Sequence, residues 1–586
     1  MSKTRAVKFG GSELLESRLP AWRSRLVLLG LFAGFAGLIA RAAYLQIISN
    51  DFLQEQGAKR MERTLPLPAV RGTLMDRNNV VLAQSVPALT IWYDGRRIYD
   101  APEDKLRQLA DILGLKSDRL IKQVRGDAKR HFVYLDRQVD QDRVAKVKAL
   151  KIPGLGFINE SKRYYPQGEA MAHLVGFTSI EDKGQEGVEL AFDQTLTGEN
   201  GERSVLRDRL GNVIEDTREL RPPVNGQDIT LSVDADVQYI VLSELRRAVE
   251  THKAKAAAAV VLDAKTGELL AMANIPTYDP NNRGDLHGAK LRNRVFTDMF
   301  EPGSTLKPFA VALSLNQGKI KPGTRIDTGN GKLTIGPATI NDTKPHGVIS
   351  VSEVIQMSSN VGTTKIALEL ERKDMWDFFH MVGFGQAPSN AFPGAASGRV
   401  RPWAKWRPIE QATMSYGHGI SVSLIQLAQA YTIFANQGRF VPVSLVKHPH
   451  GEVPQGLQVI KPDVAASMLN MLELAAGPDG TAPKAQVQGY RVAGKTGTAH
   501  KQEGGRYVNK YVSSFVGLAP VSNPRVVIAV MVDEPSTGVY YGGLVAAPVF
   551  SNVTKSVLTR LNVQPDAVTP GEDLKRYVQG PAGKSL

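Results

Sequence analysis

At 586 residues, with 42% apolar and 22% charged side chains, the chain is too long for one hydrophobic core and too apolar to be disordered throughout. A formal charge of +14 without a dense Lys/Arg block or zinc-type spacing argues for a diffusely basic surface and against a nucleic-acid binder. Cysteine is absent, which excludes disulfides, thiol catalysis and thiolate metal sites and suits an oxidising compartment.

The first predicted element is a membrane span. From Leu26 to Ala40 every residue is apolar or Gly, and beyond Arg41 the run continues as AAYLQII, so 26–48 has the length that crosses a bilayer. Lys3, Arg5, Lys8, Arg18, Arg23 and Arg25 precede it against only Glu13 and Glu16, which places a cytoplasmic tail at 1–25 and the rest of the chain outside. The run is long for a signal peptide and no good cleavage site follows, so it reads as an uncleaved anchor.

Residues 49–225 mix short β-like runs with Gly and Pro. "VRGTLMDRNNVVLAQS" (70–85) and "LVGFTSIEDKGQEGVEL" (174–190) both read as strand and turn. No nucleophile and base stand together here, so a spacer or docking module is expected.

From Asp228 the pattern passes from alternating to helical, marking a new domain over 226–565. "AAAAVVLDAKTGELLAMAN" (256–274) predicts two strands joined at Lys265-Thr266-Gly267, and "RVAGKTGTAH", "YVSSFVGLAP" and "RVVIAVMVDEP" predict three more near the other end. Between them lie helices with capping-box signals, Ser350 with Glu353 and Ser423 with Gln426. An α+β domain follows, one sheet assembled from both ends of the segment and backed by helices. The tail at 566–586 is Pro, Gly and charge and is expected to be flexible.

Three short motifs in this domain carry chemistry. In "FEPGSTLKPFAVALSLNQG" (300–318), Pro302 and Gly303 break the chain, and Leu306, Phe309, Ala310 and Leu313 recur at helical spacing until Gly318. Ser304 and Lys307 lie off that stripe and, three apart, face the same way. A serine hydroxyl is a weak nucleophile until a neighbour takes its proton, and an amine does so only when burial or nearby positive charge lowers its pKa. The second motif is Ser358-Ser359-Asn360 at an interhelical corner, where a hydroxyl can relay a proton and an amide can hold a substrate amide. A helix C-cap with Asn in the left-handed region explains it as well. The third is Lys495-Thr496-Gly497-Thr498 on a strand: a lysine for positive potential, hydroxyls for a carboxylate, and a glycine for close backbone approach.

Two matches test these readings. Ser444-Leu445-Val446-Lys447 repeats the S-x-x-K pattern in a β-like run, where residues three apart face opposite ways. Gly489 to Thr496 satisfies the phosphate-loop expression G-x-x-x-x-G-K-[ST], but lacks the buried strand before it and the helix after it.

In order, S-x-x-K, S-x-N and K-T-G form the set that marks penicillin-binding proteins and serine β-lactamases. With "RGTLMDRN", "RYYPQGEAMAHLVGF", "VVLDAKTGELLAMAN", "MSSNVGTTKIAL" and "SYGHGISVSLIQLAQAY", the chain resembles the class B penicillin-binding proteins from residue 26 to about 552, and their division-specific FtsI type most. The resemblance implies a peptidoglycan D,D-transpeptidase at the septum, with 49–225 as a pedestal. Ser304 would be the nucleophile, Lys307 the base, kept neutral by the charge of Lys495, and Ser358 the proton relay. Asn360 would hold the donor amide, and Thr496 and Thr498 the substrate carboxylate. The N–H groups of Ser304 and Thr498 would form the oxyanion hole. Implied partners are stem peptides, β-lactams, the glycosyltransferase FtsW and other divisome membrane proteins, with no cofactor or metal. His418 stands where that family leads one to expect an aromatic. A D,D-carboxypeptidase, a membrane-anchored β-lactamase and a catalytically silent division scaffold are the alternatives.

Overall fold

The computed structural model describes residues 21–48, 62–207, 213–388, 392–449 and 452–567. Most of the expected cytoplasmic tail (1–20) and nearly all of the expected flexible tail (568–586) lie outside the described residues. Helix α1 (Ala21–Ala43) begins earlier than the apolar run and continues into a π turn at Tyr44–Ile48. Ala21–Ile47 is long and apolar enough to cross a bilayer, and none of it is buried against protein.

The described residues up to 69 and within 199–224 form one compact unit, and those within 70–198 and from 225 onward form the other. The stretch 49–225 is thereby divided between the two. In the first unit, strand Glu62–Leu67 pairs antiparallel with Gly201–Arg207, which pairs in turn with Val213–Arg221.

In the second unit, the long strand Val81–Tyr93 is flanked by Val133–Val139 and Leu155–Tyr164. Helices Glu103–Leu113, Ser117–Gly126 and Gln141–Ala149 close a small core with it around Ile91, Tyr93, Leu106, Leu109 and Val144. Segment 174–190, expected as strand and turn, instead runs from the end of a one-turn helix (Ala172–Val175) to another (Gly187–Ala191), with only an isolated bridge between Thr178 and Gly184. Its glycines explain this: a Cβ at Gly176 would fall 1.9 Å from the Glu186 carbonyl, so the chain folds back on itself instead of extending.

That fold-back presents Glu189 to two arginines. Its carboxylate accepts from Arg71 Nε and Arg163 Nε, each at 2.7 Å, with all three side chains buried. Arg71 also donates to Asp193 at 2.7 Å, to Thr197 at 2.8 Å and to the Glu189 carbonyl at 2.8 Å. The "RGTLMDRN" run thus acts structurally: Arg71 anchors the fold-back, while the Asp76 carboxylate accepts from Asn78, Val80 and Ala235 N–H groups.

The central sheet is antiparallel throughout. Strands β1 (Ala256–Asp263), β2 (Leu269–Ile275), β3 (Ala493–Glu503), β4 (Arg506–Ala519) and β5 (Val526–Asp533) are ordered β2-β1-β5-β4-β3. The two ends of the segment meet where β1 pairs β5, Ala256 opposite Asp533. Every residue of β1 and β5 is buried, because both faces are covered. Helices α2 (Ala235–His252) and α8 (Ala547–Arg560) pack on one face, with Val237, Leu242, Phe550 and Val553. The other face carries the helical region: α3 (Lys307–Asn316), α4 (Val351–Gln356), α5 (Asn360–Leu368), α6 (Leu424–Ala435) and α7 (Pro462–Ala476). Both expected capping boxes form, Ser350/Glu353 on α4 and Ser423/Gln426 on α6.

Glu189→Gln should leave two buried guanidinium groups without their shared counter-charge and destabilise the fold by about 3–5 kcal/mol. Chemical denaturation of the purified protein checks this, with an unchanged midpoint as the contrary outcome.

Candidate active site

Ser304 sits in a 3₁₀ turn, Gly303–Leu306, that runs directly into α3. Three residues per turn bring i and i+3 onto one line, so Lys307 follows Ser304 along the same side. The turn is pinned from behind by Tyr431 on α6, whose hydroxyl donates to the Thr305 carbonyl at 2.7 Å. Helix α3 is not half-exposed, as a single apolar stripe would imply. Residues 307–315 are all buried, Lys307 among them. Phe309 meets the rings of Phe384, Tyr431 and Phe434, so the helix lies within the core and its lysine has no route to water along its own face.

The Lys307 ammonium position is satisfied by one residue. Nζ bonds Ser358 Oγ at 3.0 Å and also the Ser358 carbonyl. Burial first, and the nearby Lys495 charge second, hold the amine well below the usual lysine pKa, with Asp342 opposing them. Ser358, not Asn360, adopts the left-handed conformation at this corner, with φ +59°. Ser359 then caps α5, its Oγ accepting from Gly362 N at 2.8 Å. Asn360 opens that helix and donates from Nδ2 to the Asn341 carbonyl at 2.8 Å.

Strand β3 brings the third motif. Lys495 is fully buried, its pKa pushed down to about 7 by desolvation, with Nζ 3.4 Å from Thr496 Oγ1. Thr496 Oγ1 lies 3.0 Å from Thr481 Oγ1, and Thr498 Oγ1 accepts from Gly542 N at 3.0 Å. At Gly497 the strand passes the serine turn: an added Cβ would stand 2.7 Å from the Pro302 carbonyl and 2.3 Å from Ser514 Oγ. Gly417 closes in from the other side, where a Cβ would meet the Gly303 carbonyl at 2.1 Å. The serine turn is therefore clamped between two backbone approaches that only glycine permits.

These elements enclose a cleft of about 600 Å³ lined by Ser304, Ser358, Asn360, Thr496 and Thr498. Lys307 and Lys495 are buried, Lys307 reaching the cleft through Ser358, and Gly497 sits at the strand's contact with the serine turn. Neither rival match forms the site its pattern suggests. Ser444 Oγ donates to Val446 O and Lys447 Nζ to Arg77 O, and Lys495 sits in an eleven-residue strand where a phosphate loop needs a helix.

Residues 257–555 match the family model for the penicillin-binding protein transpeptidase domain, and 66–231 match the penicillin-binding protein dimerisation domain. The chain belongs to the penicillin-binding protein transpeptidases. It is 43% identical over 547 residues to a probable peptidoglycan D,D-transpeptidase PenA of Neisseria meningitidis serogroup A, covering 93% of each chain. It is 39% identical over 573 residues to peptidoglycan D,D-transpeptidase FtsI of Escherichia coli K12, covering 96% of this chain and 97% of that one. The solved transpeptidase domain of Burkholderia pseudomallei penicillin-binding protein 3 is 49% identical, with a TM-score of 0.54 over 57% of this chain and 97% of that one.

Several residues of this transpeptidase domain escaped sequence reasoning. Asp342 binds the Ser359–Val361 corner from a separate hairpin. Glu301, just before the serine turn, accepts from Gly419 N at 2.9 Å, Tyr507 OH at 3.0 Å and Gln502 Nε2 at 3.3 Å, tying the far end of the β3–β4 hairpin to that turn. His418 Nδ1 stands 3.5 Å from the same carboxylate, and burial lowers its pKa. Its ring meets Tyr416 and Tyr507 edge-on, so it fills the place of the aromatic expected there. Tyr511, Tyr540 and Tyr541 stack in sequence along the cleft wall, at 3.9 Å and 4.8 Å. Apart from His418, nothing local in the sequence distinguishes these from surface residues.

Gly497→Ala should leave a folded protein whose acylation by penicillin is at least about a hundredfold slower, because a displacement near 1 Å at the serine turn is enough for that loss. Stopped-flow labelling checks it. Lys495 gives a stability test with a definite sign. Between about 7 and the ordinary 10.5, the unfolded chain keeps a proton that folded Lys495 has released, so stability rises with pH across that window. Lys495→Met should melt higher than wild type at pH 7 and gain less on going to alkaline pH, as read by calorimetry.

Proposed function

We propose that the protein is a serine-type peptidoglycan D,D-transpeptidase of the division septum, anchored in the inner membrane by α1 with its N-terminus cytoplasmic and the second unit outside. The observation that carries the reading is the buried amine of Lys307, held off its usual pKa and joined to Ser358, one 3₁₀ turn after Ser304.

Neutral Lys307 accepts the Ser304 proton as the hydroxyl oxygen attacks the penultimate D-Ala carbonyl of a stem peptide. The N–H groups of Ser304 and Thr498 receive the oxyanion. Collapse breaks the amide, Ser358 passes a proton to the leaving nitrogen, and D-alanine departs from an acyl-serine. An amine from a neighbouring stem peptide then attacks the ester. Its proton returns through the same groups to Ser304, leaving a cross-link. Lys495, Thr496 and Thr498 hold the terminal carboxylate. The bond from Asn360 Nδ2 to the Asn341 carbonyl orients the amide, and its Oδ1 receives a donor N–H. β-Lactams acylate the same serine. FtsW and other divisome membrane proteins are the partners this reading assigns, FtsW supplying the glycan strands.

Tryptic mapping after labelling with a fluorescent penicillin should place a persistent adduct on Ser304 and none in Ser304→Ala. Modification of another residue, or rapid turnover without an adduct, would point to a different nucleophile or to a hydrolase. The second-order acylation rate should rise with pH through the lowered Lys307 pKa, since the protonated amine cannot take the Ser304 proton.

A further inference from the structure

Asp342 follows the hairpin formed by Lys332–Ile335 and Ala338–Asn341, and its backbone N–H donates across it to the Gly331 carbonyl at 2.9 Å. Its carboxylate is spent on the S-x-N corner. Oδ2 accepts from Ser359 Oγ at 2.7 Å, and Oδ1 accepts from the N–H groups of Asn360 at 2.5 Å and Val361 at 3.0 Å. The latter two are first-turn donors of α5 that no helical carbonyl can satisfy. The preceding residue is Ser358, whose positive φ is a conformation that residues other than glycine adopt only under constraint, and which turns both its carbonyl and its hydroxyl oxygen toward Lys307. The corner is thus gripped from two sides, by Lys307 through Ser358 and by Asp342 through Ser359, Asn360 and Val361.

We propose that Asp342 is a positioning residue for acylation, holding Ser358 in its left-handed turn against Lys307 and balancing the charge of Lys495 at that amine. The inference rests on the serine-acylation reading. The charges facing Lys307 are Lys495 from β3 and Asp342 from the hairpin, with His418 close enough for Lys307 to act on it. Asp342 is the only one of these that favours the protonated amine. A residue that merely capped α5 would leave the proton balance of Lys307 unchanged when its charge was removed.

The test uses full-length protein in detergent and the second-order rate of Ser304 labelling by a fluorescent penicillin across pH. Asp342→Asn is expected to label about tenfold or more slowly at neutral pH, with the acid limb of its profile moved to lower pH, because Lys495 then acts unopposed and Lys307 releases its proton sooner. Asp342→Glu keeps the charge but displaces the carboxylate, so its rate should fall with the acid limb in the wild-type place. It also serves as the reporter if the Asn variant does not fold. A slow Asn variant with an unmoved limb, or wild-type rates in either variant, overturns the proposal. Wild-type protein that fails to label on Ser304 would overturn the serine reading instead.

Discussion

A lysine amine sealed inside the protein, with one serine for its partner, is the constraint on which the rest of the catalytic unit depends. In water the Lys307 amine would keep its proton at neutral pH. Keeping water away requires that α3 be buried on every side, which in turn requires α5, α6 and α7 to enclose it. The aromatic cluster around Phe309 and the hydroxyl of Tyr431 serve that enclosure as directly as any residue in the cleft.

The protein treats buried charge in two opposite ways. Around Glu189, two guanidinium groups and a carboxylate share their charge through short bonds, and the network holds a glycine-rich fold-back in place. At the cleft, two buried lysines stand without a carboxylate in bonding contact, and their stability is sacrificed to keep them able to lose a proton. Only the second arrangement can do chemistry, since a fully paired ion has no proton to exchange near neutral pH.

Much of the catalytic unit was legible in the sequence because its signals are local. The turn at Lys265-Thr266-Gly267, the two capping boxes and the three late strands appear where short-range patterns place them. The three motifs were legible as residue types, and their convergence on one cleft follows from β1 pairing β5 and β3 edging the sheet. Other features depend on distant contacts. Helix α3 shows an apolar stripe in sequence, but Ala312, Ser314 and Lys307 are small or polar residues buried by what packs over them. Asp342 meets Asn360 only through a hairpin with no signature. In the region that matches the dimerisation domain, Leu106, Leu109, Ala110 and Leu113 did carry a helical period, but Gly, Pro and β-branched residues nearby obscured it. The capping alternative puts Asn360 in the left-handed region, which asparagine tolerates best in isolation, whereas here bonds from both sides impose that conformation on Ser358.

The pairing of Ala256 with Asp533 also bears on how the molecule is made. A chain synthesised from its N-terminus exposes β1, eight buried residues of Ala, Val, Leu and a terminal Asp, long before its neighbour β5 exists. The sheet, and with it the strand bearing Lys495, can close only after nearly all of the polypeptide has been made. Until then Ser304 has no Lys495 strand beside it, so the cleft is among the last features of the fold to assemble.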